Sequence, residues 1–175
     1  MPRIVEGLPM RRARHSLSLL AATLLGLAGP AGARETIAVH GGWAAFRDTR
    51  PGRCFAVADP SGDVPGTGWR PFAAVSIPPG GGGGQINIRL RHRKLRGAPV
   101  FLSVGGRRFR LIAGGSDAWA RDAAEDAAIV AAMRSAPSMS VETRRQDGRA
   151  FADVYRLRGA ATAIDAAALA CIGTR

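Results

Sequence analysis

Cysteine, lysine and tyrosine are scarce in this chain. Its 175 residues include two cysteines and one tyrosine, and Lys94 is the single lysine beside 24 arginines. Cys54 and Cys171 are too far apart in sequence to form a CxxC redox pair, and two thiols without nearby histidines do not make a zinc site. The pattern therefore argues against a thiol–disulfide oxidoreductase and against a small zinc domain.

Sequence motifs of common hydrolases are also missing. The chain contains no GxSxG and no HExxH motif, which would position a nucleophile or two zinc-ligating histidines. His92 lies in the basic run RLRHRKLR, and His40 lies in a segment that we expect to be loose. Local hydrogen bonding at turns or a helix explains a group of aspartates, namely Asp59, Asp63, Asp147 and Asp165. No catalytic residue, cofactor or metal site is predicted, and a hydrolase of unknown class is the least favoured alternative.

The glycine-rich stretch PPGGGGG (78–84) does not match a phosphate-binding loop. Such a loop needs a GK[ST] ending that leads into a helix, because the helix N-terminus and the lysine hold the phosphates. Here the glycines lead into QINIRL, which has the alternation of a strand. The stretch is therefore predicted to be a hairpin loop.

A run long enough to cross a membrane, about 20 apolar residues, is absent. The shorter run LSLLAATLLGLA (17–28) follows a basic head and precedes Ala31 and Ala33, the small residues of a cleavage site. This order predicts a secretory signal peptide over residues 1–33, removed by cleavage; an uncleaved anchor is the alternative. Residues 34–175 are then expected to form a single exported domain, periplasmic or secreted.

Positive charge dominates what remains. The predicted leader contains four Arg and one Glu, so residues 34–175 keep 21 basic and 12 acidic side chains, a formal charge of +9. This excess makes anionic envelope polymers or lipid headgroups plausible partners. Nucleic acid is disfavoured, because export separates the chain from it and few aromatic residues interleave with the basic ones.

Short alternating runs separated by glycine and proline predict a mainly β protein. We expect an antiparallel β-sandwich or partly open barrel of about eight short strands, with one mid-chain helix and a short C-terminal helix. The strand candidates are 43–48, 54–59, 72–77, 86–91, 100–104, 108–112, 139–145 and 151–157. Gly105-Gly106 predicts a tight primed turn, and Asp147-Gly148 predicts a slightly longer hairpin loop.

The mid-chain helix is predicted over residues 122–137. Asp122 is placed as its N-cap, with Glu125 three residues later as in a capping box. The alanines between favour helix, and Pro137 ends the run.

The C-terminal helix, residues 160–171, bears on the cysteines. Outside the cytosol a pair of cysteines is usually oxidised, so a Cys54–Cys171 disulfide is predicted, with two separate buried thiols as the alternative. Ile164, Ala168 and Cys171 share one helical face by their spacing. That face would point inward and bring the second thiol toward the first.

Alternation in QINIRLRHRKLR places its isoleucines and leucine on one side and its arginines on the other. The strand RFRLI alternates in the same way. If the two strands share a sheet, one outer face carries Arg89, Arg91, Arg93, Arg108 and Arg110. Because a guanidinium can bind phosphate or carboxylate with two hydrogen bonds, this face is the candidate site for an anionic envelope component. A merely solvated basic face is the alternative.

The three tryptophans have different expected environments. Trp43 opens the first strand candidate and is expected in the core, because a small β domain needs large side chains to fill it. Trp69 and Trp119 lie at the edges of loops and are expected to be half exposed.

Several of these motifs resemble the invasion-associated locus B family of Gram-negative bacteria. The chain opens with GGWAAFRD and RCFAV and closes with FADVYRLRGAATAIDAA, and the resemblance spans most of residues 42–170. The matching positions are Gly42, Trp43, Cys54, Phe55, Leu157, Gly159, Ala163, Ile164 and Asp165. The resemblance implies a β-rich domain of the periplasm or envelope with no established catalytic mechanism.

The chain departs from that family in its cysteines. Family members often have a cysteine just after the opening tryptophan, where this chain has Phe46 and Arg47, and a further pair in mid-chain, where GGSDAWARDAAEDAAIV has none. The chain therefore resembles a divergent branch. The function expected is a non-enzymatic envelope accessory or binding domain, and a structural or protein-partner-binding module is the alternative.

Overall fold

The computed structural model describes residues 34–49, 52–62 and 69–172. The predicted signal peptide, residues 1–33, lies outside the described residues, and so does Asp63; cleavage of the leader stays a prediction. Neither helix within those ranges has the length and apolar character needed to span a bilayer.

Ten antiparallel strands form one open sheet, with two helices packed against it. The elements are β1 (Arg34–His40), β2 (Trp43–Thr49), β3 (Gly52–Ala58), β4 (Phe72–Ile77), β5 (Gln85–Arg89), β6 (Val100–Val104), β7 (Arg107–Gly114), β8 (Asp117–Trp119), α1 (Ala123–Ser135), β9 (Ser138–Arg144), β10 (Ala150–Arg156) and α2 (Ala160–Cys171). The strand order is β1-β2-β3-β4-β5-β8-β7-β6-β9-β10. The predicted fold class is confirmed, with ten strands in place of about eight.

Two strands were not predicted. β1 pairs with β2 along nearly its whole length, and His40 lies opposite Trp43 at its end. The expectation that the segment around His40 is loose was therefore wrong, because hydrogen bonding to β2 orders it. β8 has only three residues, too few for a period-two pattern, and its neighbours β5 and β7 define it.

Helix α1 begins at the predicted N-cap. The Asp122 carboxylate accepts a hydrogen bond from the Glu125 backbone N–H at 2.8 Å. Glu125 reaches back one residue further than in a capping box, and accepts from the backbone N–H of Arg121 at 2.8 Å. The first bond satisfies a backbone donor that the first helical turn leaves free, and the second satisfies the N–H of the residue that precedes the cap.

The turn between β6 and β7 has the predicted primed geometry. Gly105 and Gly106 both have positive φ, 58° and 74°, as a type I′ turn requires at its two central positions. The turn fixes the register of the hairpin, so that Ser103 lies opposite Arg108 and Phe101 opposite Arg110.

The sheet curls so that its last strand meets its beginning. The indole Nε1 of Trp43 donates to the Arg156 carbonyl at 2.9 Å, and the Ser61 backbone N–H donates to the Val154 carbonyl at 2.6 Å. Both acceptors lie on β10, an edge strand. The two bonds close part of the gap between the edges, which makes the sheet a partly open barrel.

Glycine permits a close crossing of two turns at this junction. Gly41 follows β1 and Gly159 follows β10, and both have positive φ. A Cβ on Gly41 would overlap the Arg158 carbonyl, and a Cβ on Gly159 would overlap the His40 carbonyl. Only glycine therefore allows the β1–β2 turn and the β10–α2 turn to pack backbone against backbone.

Helix α2 covers the concave side and carries the disulfide. Cys54 on β3 is bonded to Cys171 on α2, with Cα atoms 5.9 Å apart, as predicted. Both cysteines are fully buried in a core that includes Trp43, Ile164 and Tyr155. The link joins strand and helix across 117 positions of the chain.

The glycine-rich stretch 78–84 connects β4 to β5, as predicted for a hairpin loop. The backbone N–H of Gly80 donates to the Cys171 carbonyl at 3.0 Å. The loop thus also terminates α2 by satisfying one of its free carbonyl groups.

Reduction of the disulfide is expected to destabilise the fold. Because a link closes a long loop of the unfolded chain, its loss should lower the free energy of unfolding by about 2–4 kcal/mol. Denaturant unfolding with and without reductant measures this. A C54A/C171A variant is the control and should not respond to reductant. An unchanged unfolding midpoint in reduced wild-type protein would contradict the expectation.

The junction glycine is expected to be far less replaceable than a free turn glycine. Gly159→Ala places an alanine at positive φ, and its Cβ overlaps the His40 carbonyl. Gly148→Ala has a similar φ of 84°, but its Cβ meets no atom within 4 Å. We expect Gly148→Ala to cost about 1–2 kcal/mol and Gly159→Ala at least about 2 kcal/mol more. Urea unfolding of both variants is the measurement. Equal losses would show that no close crossing exists.

Candidate functional site

The five predicted arginines do not line one face together. β5 and β7 do belong to one sheet, but β8 lies between them. β5 ends at Arg89, so Arg91 and Arg93 lie beyond the strand. The prediction of three successive outward arginines on β5 was therefore wrong, because the alternation of sequence continues after the strand has ended.

Two of those arginines are engaged by carboxylates. Arg89 pairs with Asp117 on β8 at 2.6 Å, at a half-exposed position. Arg91 turns inward, and its Nε and backbone N–H donate to Asp153, a fully buried carboxylate of β10. A buried carboxylate needs such a partner, since removing its charge from water is costly. Arg91 therefore neutralises a buried carboxylate and is not available to a ligand.

Arg108 and Arg110 do lie on an exposed face. They alternate with the buried Phe109 and Leu111 along β7. We call the solvent side of β7, β6, β9 and β10 the outer face. From β7 across β6 and β9 to β10, one row of neighbouring residues is Arg108, Ser103, Ser140 and Val154. The next row is Arg110, Phe101, Glu142 and Ala152.

A shallow depression of about 460 Å³ lies on the outer face beside the Gly105-Gly106 turn. Its lining includes Arg107, Arg108, Ser103, Ser138, Ser140 and Val154. It exists because three of the residues that stand side by side on β6 and β9 are serines, which are short. The depression offers serine hydroxyl groups and lies beside the Arg108 guanidinium, which are donors suited to an anionic ligand.

Part of the positive charge that no carboxylate neutralises lies on the outer face. Arg108 pairs with Glu142 at 3.5 Å, with both side chains largely exposed, and its guanidinium lies 4.2 Å from the centre of the Phe101 ring. Arg110 forms no ion pair with a residue of the described ranges. Neither does Arg107, which lies on the other side of β7 with its guanidinium 4.7 Å from the centre of the Phe109 ring. The remaining described cations without an ion pair are Arg53, Arg93, Lys94, Arg96, Arg144, Arg156 and Arg158.

A second depression, of about 640 Å³, lies at the junction of the sheet edges. Its lining includes Gly41, Gly42, Asp59, Ser61, Arg156 and Arg158. Asp59 carries a negative charge there and pairs with Arg70 at 2.5 Å. The mixed charge makes this depression a weaker candidate for anions than the outer face.

Shifted pKa values occur away from the outer face. The hydrogen bond from Arg145 lowers the pKa of Asp147 to about 2, and burial raises the pKa of Asp126. Burial also raises the pKa of Tyr155, helped by the charge of Asp153.

The histidines and aspartates named from sequence are dispersed. The His92 ring packs edge-on against Phe151, with centroids 5.4 Å apart. Asp165 pairs with Arg134 at 2.7 Å, and Asp147 bonds to Arg145 at 2.6 Å. Over residues 34–49, 52–62 and 69–172, no three His, Cys, Asp or Glu side chains are grouped to hold a metal ion.

Sequence reasoning from arginines alone missed the other residues of the surface. In SMSVETR, Ser138 and Ser140 alternate with the buried Met139 and Val141, so the alternation already places these two serines outward. Trp119 and Ile112 lie opposite each other on β8 and β7, and both are exposed. Their adjacency had no signal in the sequence, because it depends on β8 pairing with β7.

Comparison with known proteins gives one informative likeness. The fold is similar to that of a solved structure, invasion associated protein B from Bartonella henselae, with a TM-score of 0.53 and 18% identical residues. The match covers 73% of this chain and 92% of that one. No protein-family model matches the sequence, and no curated protein does so. The chain therefore shares a fold with that protein, which is the fold that its sequence resemblance to the invasion-associated locus B family implies.

Proposed function

We propose that this protein is an exported, non-enzymatic accessory or binding domain of the bacterial cell envelope. On this proposal the outer face contacts anionic envelope components through phosphate or carboxylate groups. The leader pattern of residues 1–33 supports export. The Cys54–Cys171 disulfide supports it too, because such links persist in oxidising compartments and are rare in the cytosol.

The observation that carries the binding proposal is the composition of the outer face. Arg107 and Arg108 line a depression whose floor carries serine hydroxyls. Arg110 stands two residues from Arg108 on the same side of β7 and has no ion pair within the described ranges. Arg108 and Arg110 are like charges on the same side of one strand, so an anion bound beside both would relieve their repulsion as well as accept hydrogen bonds. Arg108 adds a guanidinium whose pairing with Glu142 is long and exposed.

A protein-partner-binding module is the second candidate. Its support is the exposed pair of Ile112 and Trp119, which are 44% and 40% exposed. A single pair is small beside the patches of several hundred square ångströms that mark protein interfaces. The basic outer face therefore supports anion binding better than it supports a protein interface.

The test compares two double variants of equal charge. Arg108→Ala/Arg110→Ala removes two guanidinium groups from the outer face, and Arg53→Ala/Arg96→Ala removes two exposed ones elsewhere. Binding to lipopolysaccharide, polyphosphate and phosphatidylglycerol vesicles is measured at low and near-physiological salt. We expect the first variant to bind roughly 30-fold more weakly at low salt, at the usual contribution per arginine near an anionic surface.

The control variant should bind nearly as well as wild type, and all binding should weaken as salt screens the charges. Equal losses in the two variants would mean that only net charge matters, which would contradict the assignment to the outer face. Wild-type protein that binds none of the three probes would refute the proposed function. The three probes also separate the possible sources of the anion, which are glycolipid, free phosphate polymer and lipid headgroup.

A further inference from the structure

An exposed indole extends the outer face beyond β7. Trp119 is the last residue of β8, with Asn87 of β5 opposite it on one side and Ile112 of β7 on the other. It is 40% exposed, and its neighbour Ile112 is 44% exposed. The pair is therefore an apolar surface that the fold leaves in solvent.

The position of the ring follows from a neighbouring glycine. A Cβ built on Gly114 would lie 3.9 Å from Cη2 of Trp119, so the far edge of the indole reaches across the sheet to β7. Gly114 has no side chain to lift the ring off the sheet. The indole thus lies along the surface, and its exposure leaves ring surface open to a ligand.

The other tryptophans differ from Trp119 in their hydrogen bonds. Trp43 is fully buried and donates to the Arg156 carbonyl, and the Nε1 of Trp69 donates to the Leu90 carbonyl at 2.8 Å. The indole nitrogen of Trp119 has no acceptor among the described residues. Trp119 therefore neither fills the core nor joins two segments through its side chain, and those structural roles do not explain it.

Polar groups surround the apolar pair. Asn87 carries an amide beside Trp119, and the Arg89–Asp117 ion pair lies one step further along the same strands. On β7, Arg110 stands two residues before Ile112 on the same side. A flat apolar surface bordered by an amide, a carboxylate and a guanidinium matches a sugar ring, which has an apolar face of C–H groups and a rim of hydroxyls.

We propose that Trp119 and Ile112 form a stacking platform for a sugar ring of an acidic polysaccharide. This inference rests on the proposed function and specifies its ligand class. The same chain of sugars would pass along β7 to Arg110 and Arg108. Ile112 and Arg108 are four residues apart along β7, about 13 Å, so one short oligosaccharide reaches from the platform to the guanidinium groups.

The test uses Trp119→Ala, with Trp119→Phe as the conservative variant. Leu169→Ala, which truncates another exposed apolar side chain on α2, is the matched control. The probes are alginate, an acidic polysaccharide, and polyphosphate, a polyanion without sugar rings. Phosphatidylglycerol vesicles test for a membrane contact. Circular dichroism and thermal unfolding check that each variant is folded.

We expect Trp119→Ala to weaken alginate binding about tenfold, as loss of one aromatic stacking contact does. Trp119→Phe should keep most of the affinity, and Leu169→Ala should keep all of it. Polyphosphate binding and the salt dependence of alginate binding should not change, because the number of ionic contacts is the same.

The outcomes separate this inference from the proposed function. Alginate binding that is unchanged in Trp119→Ala, but weakened in Arg108→Ala/Arg110→Ala, would overturn the platform alone. Equal losses for alginate and polyphosphate would also overturn it, as would a loss seen only with vesicles. If wild-type protein bound neither polyanion, the proposed function itself would fail.

Discussion

The structure depends on the contact between the beginning and the end of the domain. Helix α2 packs on β2 and β3, and the Cys54–Cys171 disulfide joins β3 to α2 covalently. Beside it, the Trp43 indole bonds to the Arg156 carbonyl, and Gly159 allows its turn to touch the β1–β2 turn. An open sheet of ten strands would otherwise have two separate edges. The contact brings those edges together and fixes the curvature that encloses the core.

That curvature also separates the roles of the two sides of the sheet. The concave side carries the apolar core and the buried pair of Arg91 and Asp153, while the convex side carries Arg108 and Arg110. Most carboxylates of the described ranges are occupied by arginines, so the excess positive charge stays at the surface. This division makes the proposed anion-binding role of the outer face consistent with a stable interior, because the exposed arginines are not needed to neutralise buried groups.

Several of the residues that carry the family resemblance hold distant parts of the structure together. Trp43 and Gly159 both belong to the junction, and Cys54 forms the disulfide with Cys171. Asp165 pairs with Arg134 and so links the two helices. The short motifs therefore mark the places where distant parts of the chain meet.

Local pattern in the sequence was sufficient for eight of the ten strands, for both helices and for the inward direction of Cys171. Period and capping are properties of neighbouring residues, and two cysteines allow one pairing only. β1, β8 and the end of β5 required the tertiary structure, since each is defined by hydrogen bonds to a partner strand. The same is true of the site. Alternation shows on which side of a strand Arg110 or Ser140 stands, but only the strand order decides that they share a surface with Trp119, and only the buried Asp153 decides that Arg91 leaves it.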